Sequence, residues 1–219
     1  MPRLLFEKTG NAVWISHLDL MRVFQRAFKR AGLLLTHTQG FNPRPSVSIA
    51  MPLSVGVESC CELLDFDLDG DAVACDEILS RLNQALVDGV RVLQVYENGK
   101  KIRDLSLLHC QVTLEYDSGI PANARSALQE LFTRESLIVP KKSKNGIQDQ
   151  DIIPMLKSME LIEAGERELL MDCIVCCQNP TLNPMQLVAA IELHKPELKP
   201  DFAKCRRIEI YDTANNVFR

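Results

Sequence analysis

Aromatic side chains are scarce in this chain: they make up 5% of its 219 residues, with one tryptophan and three tyrosines. No RNP-type aromatic signature is present, which excludes an ordinary RNA-recognition motif. Long hydrophobic runs are missing too. No stretch approaches the roughly 18 uncharged apolar residues of a membrane span, so no membrane association is expected. A Walker A or GxGxxG pattern is absent, which argues against a nucleotide-driven enzyme. The opening MPRLLFEKTG lacks a long apolar core and a small-residue cleavage site. No signal peptide is therefore expected, and the cytosol is the expected compartment. What is there is an ordinary globular composition, 46% hydrophobic and 25% charged, enough for one large domain or two small ones.

The eight cysteines are too few and too dispersed for a secreted disulfide scaffold of this length. Their one dense group is CIVCC, with Cys173, Cys176 and Cys177. Its apolar flanks read as a strand, which puts Cys173 and Cys177 on one face and Cys176 on the other. Zinc sites pair cysteines across a turn and need a second pair. Cys60, Cys61, Cys75, Cys110 and Cys205 offer none. Buried free thiols, packing as small hydrophobes, are the expectation, and neither a metal nor a cofactor is expected.

The net charge of −4 conceals an asymmetry. Residues 1–57 carry seven Lys and Arg against Glu7 and Asp19, a balance of +5, which leaves −9 for residues 58–219. Residues 58–98 alone hold ten carboxylates against Arg81 and Arg91, or −8. Such segregation suits one face for an anionic partner, or one half docking a basic surface.

The basic excess centres on HLDLMRVFQRAFKR, a predicted helix capped by Ser16 and stopped by Gly32. At about 100° per residue, Leu20, Val23, Phe24, Ala27, Phe28 and Ala31 fall on one arc and Arg22, Arg26, Lys29 and Arg30 on the other. Strands are predicted at RLLFEK, LLLTHT, SVSIAMPL, CELLDFDL and RVLQVYENG, with a second helix at DEILSRLNQALVDG capped by Asp76 and turning Ile78, Leu79, Leu82, Leu86 and Val87 inward. The order is βαββαβ. The second half repeats it: HCQVTLEYD, a helix at PANARSALQELFTRE, LIVPKK, RELLMDCIVCC, a helix at LNPMQLVAAIELH and CRRIEIYD. IQDQDIIPMLKSMELIEAG is ambiguous, and Pro154 argues against a central strand there. KKSKNG, 141–146, reads as a flexible basic loop. The expected fold is α+β, with two tandem ferredoxin-like domains over 1–100 and 101–219.

Between the basic helix and its following strand lies QGFNPRP. Pro43 and Pro45 fix their own φ angles and push Asn42 and Arg44 toward extended backbone. Such a stiff loop projects Arg44 with little entropy left to lose on binding. Phe41 offers a stacking face, and Gln39 and Asn42 offer hydrogen bonds. Lys8 and Arg44 extend the basic arc, whose cations can neutralise phosphates in a salt-sensitive way. A catalytic alternative is SHLD, where His17 and Asp19 stand as acid and base, with His37 converging from the loop; no nucleophile stands at a recognisable spacing to them. The same two histidines with Asp19 are a conceivable metal set.

ISHLDLMRVFQRAFKRAGL and TQGFNPRPSVSIAMPLSVGVES together resemble the N-terminal hallmark of the radical SAM-associated protein family, a bacterial domain of unknown function. The matching pieces are SHLD, the R-x-x-x-R-A helix ending in AGL, QGFNPRP, the S-x-A-x-PL strand and a G-x-x-S-x-x-E segment ending at Glu62. KKSKNGIQDQDI, LNPMQLVAAI and CRRIEIYD continue the likeness. The chain departs from the family pattern at Leu34, Leu35 and His37. Family members stand beside, or are fused to, a cobalamin-binding radical SAM protein, often encoded near ribonuclease and ribosomal-protein genes. The resemblance implies an accessory role in RNA modification or processing. This chain has no CxxxCxxC motif, so the enzyme is expected as a separate partner. The expected function is non-catalytic binding of tRNA or rRNA through Arg22, Arg26, Lys29, Arg30, Gln39, Phe41, Asn42 and Arg44. The alternatives are a protein-docking module for the enzyme and a metal-independent ribonuclease using His17 with Asp19 or His37. The tandem architecture is similar to that of CRISPR-repeat-processing endoribonucleases, an analogy of fold.

Overall fold

The computed structural model describes residues 1–143 and 146–219. Period-2 apolar segments form its strands and 3.6-period segments its helices. The result is a mixed α+β architecture whose sheet is mostly antiparallel, with four α-helices among the described residues. None of these helices is long and apolar enough to cross a membrane. The chain divides into two compact units, residues 1–103 with Arg219, and residues 104–218.

The first unit runs β1 (Arg3–Lys8), α1 (His17–Arg30), β2 (Val47–Ile49), β3 (Val57–Phe66), α2 (Cys75–Ala85) and β4 (Val90–Tyr96). Its strands lie in the order β4-β1-β3-β2, all neighbours antiparallel. Leu20, Phe24, Ala27 and Phe28 of α1 are fully buried, while Val23 and Ala31 are half-buried at the edges of that arc. The Phe24 ring meets Phe6 of β1 edge-on at 4.7 Å, and Phe28 meets Phe66 of β3 at 5.0 Å. Burying each of these rings contributes about 2 kcal/mol. Ile78 and Leu82 of α2 complete the packing. Val87, expected inside, is 42% exposed, because α2 ends at Ala85 and the chain turns before it. Asp76 is not the cap either. Ala74 occupies that position with no side-chain bond, and Asp76 lies in the first turn, where its charge still favours the helix dipole. LLLTHT forms no strand. It makes isolated bridges, Leu35 with Leu68 and His37 with Pro45.

Two cations of the basic half are interior. Lys8 has no exposed surface, and its ammonium donates to the carbonyls of Val13 (3.0 Å) and Ile15 (2.8 Å). Lys8 is thus removed from the basic surface the sequence suggested. It holds the end of the 3-10 turn Gly10–Trp14 that leads into α1. Arg3 is 5% exposed and pairs with Asp65 at 2.6 Å.

The second unit runs β5 (Leu105–Glu115), α3 (Ala124–Phe132), β6 (Ile138–Ser143), β7 (Gly146–Asp151), β8 (Leu156–Glu163), β9 (Glu168–Cys176), α4 (Met185–His194) and β10 (Phe202–Asp212). Its sheet order is β10-β5-β9-β8. LIVPKK was expected as the second strand of this sheet; it is instead β6, which pairs with β7 in a separate two-stranded hairpin. The sheet strand is β8, paired with β9. Pro154 does not interrupt it, because Pro154 lies in the 3-10 turn Ile153–Met155 just before. Of the expected loop KKSKNG, residues 141–143 and 146 are strand ends, and 144–145 lie outside the described residues.

Candidate functional site

Helix α1 begins where the sequence placed it. The Ser16 hydroxyl oxygen accepts from the Asp19 backbone N–H at 3.2 Å, and the hydroxyl donates to Asp19 Oδ2 at 2.7 Å. Asp19 Oδ1 accepts from Arg22 Nη1 at 2.7 Å. The Ser16 hydrogen bond, and after it the Arg22 guanidinium, hold the Asp19 carboxyl below the usual carboxylate range. A carboxylate so held is a poor general base. His17 turns a covered Nδ1 toward the protein that makes no hydrogen bond among the described residues. Among the described residues Asp19 bonds Ser16 and Arg22 and does not pair with His17.

The proline-rich loop is the tip of a narrow hairpin. Ser46 N–H donates to Thr36 O at 2.8 Å, Thr38 N–H to Arg44 O at 2.8 Å, and Arg44 N–H to Thr38 Oγ1 at 3.0 Å. The rung between His37 and Pro45 lies between these bonds. Gln39, Asn42 and Arg44 are exposed, and Phe41 at the tip is 106% exposed, its ring wholly in solvent. Gly40 at φ +133 permits the tip to reverse.

The root of this hairpin and the second half of α1 enclose a groove of about 290 Å³, lined by Gln25, Phe28, Lys29, Leu33, Leu34, Leu35, His37 and Pro45. The hairpin and the basic helix therefore meet, at Lys29 and His37. His37 does not converge with His17. Its neighbours on α1, Gln25 to Lys29, stand roughly 12–18 Å along the axis from position 17. Among the described residues no carboxylate lines the groove.

The arginines divide into two sets. Arg22 pairs with Asp19, and Arg30 Nη2 donates to the Ala85 carbonyl. Arg26, Lys29 and Arg44 are exposed and have no side-chain hydrogen bond or ion pair among the described residues.

Sequence reasoning missed one polar constellation. On β5 and β9, His109 Nε2 is 2.7 Å from Asp172 Oδ1, and Gln111 donates to Asp172 Oδ2 at 2.9 Å. Alternation puts His109 and Gln111 on one strand face. Asp172 is 63 residues from His109, and only the strand register brings it there. The core side of the same strands carries thiols. Cys110 faces Cys173 across β5 and β9, and Cys205 lies on β10. All eight cysteines are free. Burial pushes the Cys173 thiol up to about 12 and Cys205 up to about 11, and a protonated thiol is neither nucleophile nor metal ligand. No group of three or more His, Cys, Asp or Glu is placed to hold a metal among the described residues.

Comparison with known proteins gives a fold and a family. Among solved structures the chain is similar to one in "Crystal Structure of a Cbf5-Nop10-Gar1 Complex", at 9% identity and a TM-score of 0.51, over 95% of this chain and 48% of that one. That likeness is one of fold alone, and this chain spans about half the other's length. A second, "Crystal Structure of an Unknown Protein from Galdieria sulphuraria", aligns over 94% of this chain and 96% of that one at 13% identity, with a TM-score of only 0.27. No curated protein matches. A family profile matches residues 2–184, which covers both the SHLD helix and the QGFNPRP hairpin, and the chain therefore belongs to the bacterial family described as "Uncharacterized protein conserved in bacteria (DUF2344)".

Proposed function

We propose that this protein is a non-catalytic accessory that binds RNA, a tRNA or rRNA, through α1 and the hairpin that follows it. One observation carries the reading. The side chains of Arg26, Lys29 and Arg44 make no hydrogen bond or ion pair among the described residues, and the groove between their two elements has no carboxylate in its described lining. An unpaired cation in a concave apolar surface, Lys29, with Arg26 and Arg44 exposed on the elements that bound it, favours an anionic partner. Gln39, Phe41 and Asn42, exposed at the hairpin tip, supply hydrogen bonds and a stacking face. The likeness of SHLD and QGFNPRP to the radical SAM-associated family supports a cobalamin-binding radical SAM protein as the enzyme served. The strand orders β4-β1-β3-β2 and β10-β5-β9-β8 support reading 1–100 and 101–219 as two ferredoxin-like domains.

Binding of a labelled RNA, followed by fluorescence anisotropy, tests the proposal. Three phosphate contacts to a single strand predict a log–log salt slope of about −2, or roughly a twenty-fold loss of affinity between about 50 and 200 mM salt. Arg26→Glu with Arg44→Glu is expected to lower affinity at least tenfold and flatten that slope. Unchanged binding by the double variant ends the reading.

A protein-docking role has its own observation. Trp14 and Leu18, at the entry to α1, are 65% and 68% exposed. Two large apolar side chains left this exposed so close in sequence are what a docking surface would use. If the radical SAM protein co-purifies after nuclease treatment and is lost with Trp14→Ser, docking without RNA is the better reading.

A further inference from the structure

The groove beside Lys29 has a more specific chemistry than a basic face needs. Its floor is apolar, formed by Phe28, Leu33 and Leu35, at 0%, 2% and 9% exposure. Its polar groups are Gln25, Lys29 and His37. Its volume, about 290 Å³, lies at the small end of ligand pockets. An aliphatic occupant would satisfy the floor and leave the ammonium of Lys29 without a counter-charge. A bare anion would do the reverse. A nucleotide satisfies both, because it joins a flat apolar-faced ring to a phosphate. Arg26, three residues before Lys29, is its neighbour on the helix surface, which extends positive charge from the groove along the helix. The hairpin that walls the groove with Pro45 also carries the fully exposed Phe41, beyond the rungs His37–Pro45 and Thr38–Arg44.

We infer that the groove receives one unstacked base of a single-stranded RNA segment. Lys29 and His37 hold the adjoining phosphate, Gln25 bonds the base edge, and a neighbouring base stacks on Phe41. The inference rests on the RNA-binding reading above and narrows it, because a base locked in a duplex has no free face to offer the floor.

The test compares a short fluorescent RNA oligonucleotide with its annealed duplex, on the wild type and on Leu34→Trp. Leu34 lines the groove from outside and is 63% exposed, so an indole there fills the cavity without entering the buried floor. The single strand is expected to bind about tenfold more tightly than the duplex, the scale of one stacked base. Leu34→Trp is expected to remove that advantage while changing the salt slope by no more than about 0.7, the share of the one phosphate held in the groove. As a second readout on the wild type, adenosine 5′-monophosphate is expected to shift the amide resonances of Gln25–Lys29 and Leu33–His37, and ribose 5-phosphate at equal concentration is not. Single strand and duplex bound alike, Leu34→Trp within twofold of wild type, or equal shifts from both phosphates would each overturn the groove assignment. Salt-sensitive binding that survives any of these leaves the broader reading standing. If RNA does not bind at all, both fall, whatever the mononucleotide does.

Discussion

The two units share a strand order and differ in what they hang on it. In the first, the connection from α1 to β2 forms the proline-bounded hairpin of residues 36–46; in the second, the corresponding connection from α3 to β8 holds the β6–β7 hairpin. Their first helices differ as well. Both bury an apolar arc, Leu20, Phe24, Ala27 and Phe28 in α1 and Ala124, Leu128, Leu131 and Phe132 in α3. The outward face of α1 holds Arg22, Arg26, Lys29 and Arg30, whereas that of α3 holds Arg125, Ser126, Gln129 and Glu130, with no net charge. Equivalent packing is thus reached without a basic face. Of the four cations of α1, Arg22 and Arg30 still serve the fold, through Asp19 and the Ala85 carbonyl, whereas Arg26 and Lys29 have no side-chain partner among the described residues.

The sharpest way to break the comparison is at a glycine in each unit. Gly89, at φ +81, leaves no room for a side chain: a Cβ there would stand 2.4 Å from the Thr9 carbonyl oxygen and 2.8 Å from Ala12. Gly119, at φ +93, would meet nothing nearer than 3.6 Å. Gly89→Ala is expected to cost about 3 kcal/mol or more, from strain plus collision, and Gly119→Ala about 1 kcal/mol, from strain alone. Urea denaturation of both variants measures the contrast. Equal losses would show that backbone conformation, not crowding, dominates.

Lys8 comes next. Lys8→Met keeps the volume but leaves the Val13 and Ile15 carbonyls without their donor, and is expected to cost about 2 kcal/mol. Replacing the exposed Lys157 of the second unit, whose ammonium bonds Pro154 O, is expected to change stability by less than about 0.5 kcal/mol.

Smaller effects follow from two carboxylates. Asp19 is held below its ordinary value by Ser16 and Arg22, and Asp151 by backbone N–H groups, Leu137 first. A depressed folded-state value means that the stabilisation is complete above the unfolded value, 3.8, and is lost as pH falls through the folded one. Stability is therefore expected to fall below about pH 4. Asp19→Asn and Asp151→Asn should each flatten that acid limb in thermal melts across pH. A limb unchanged in both variants would assign it to other groups.

Thiol labelling has the least effect on the molecule and separates half-buried from buried thiols. Iodoacetamide with the folded protein is expected to reach Cys60 and Cys75 of the first unit and to spare Cys110, Cys173 and Cys205, which are buried. Peptide mass spectrometry reads the pattern. Labelling of Cys173 ahead of Cys75 would mean that the second core opens more readily than its packing implies.

Most of the first unit was legible because its signals are local. Ser16 and Gly32 bound α1 by cap chemistry, and the spacing of Leu20, Phe24, Ala27 and Phe28 gives its buried face. Lys8 was misread because β1 is buried at Arg3, Leu4, Leu5 and Phe6 alike and its register shifts between Phe6 and Lys8, so no alternation marks which side chain turns inward. In the second unit, β6 and β8 both carry strand-like sequence. Which one joins the sheet depends on pairing with β9, which no local pattern records. The groove was invisible for the same reason. Its floor comes from Phe28 and, beyond the end of α1, Leu33 and Leu35, and its far wall from Pro45.

The mutual bonds between Thr38 and Arg44 have one more consequence. They tie the ends of the five-residue segment 39–43 together before the tip begins. A peptide held at such a clasp can be exchanged for another of equal span while the scaffold beneath stays as it is. The tip residues Gln39 to Pro43 are therefore presented as one preshaped turn, set by bonds that involve none of their own side chains.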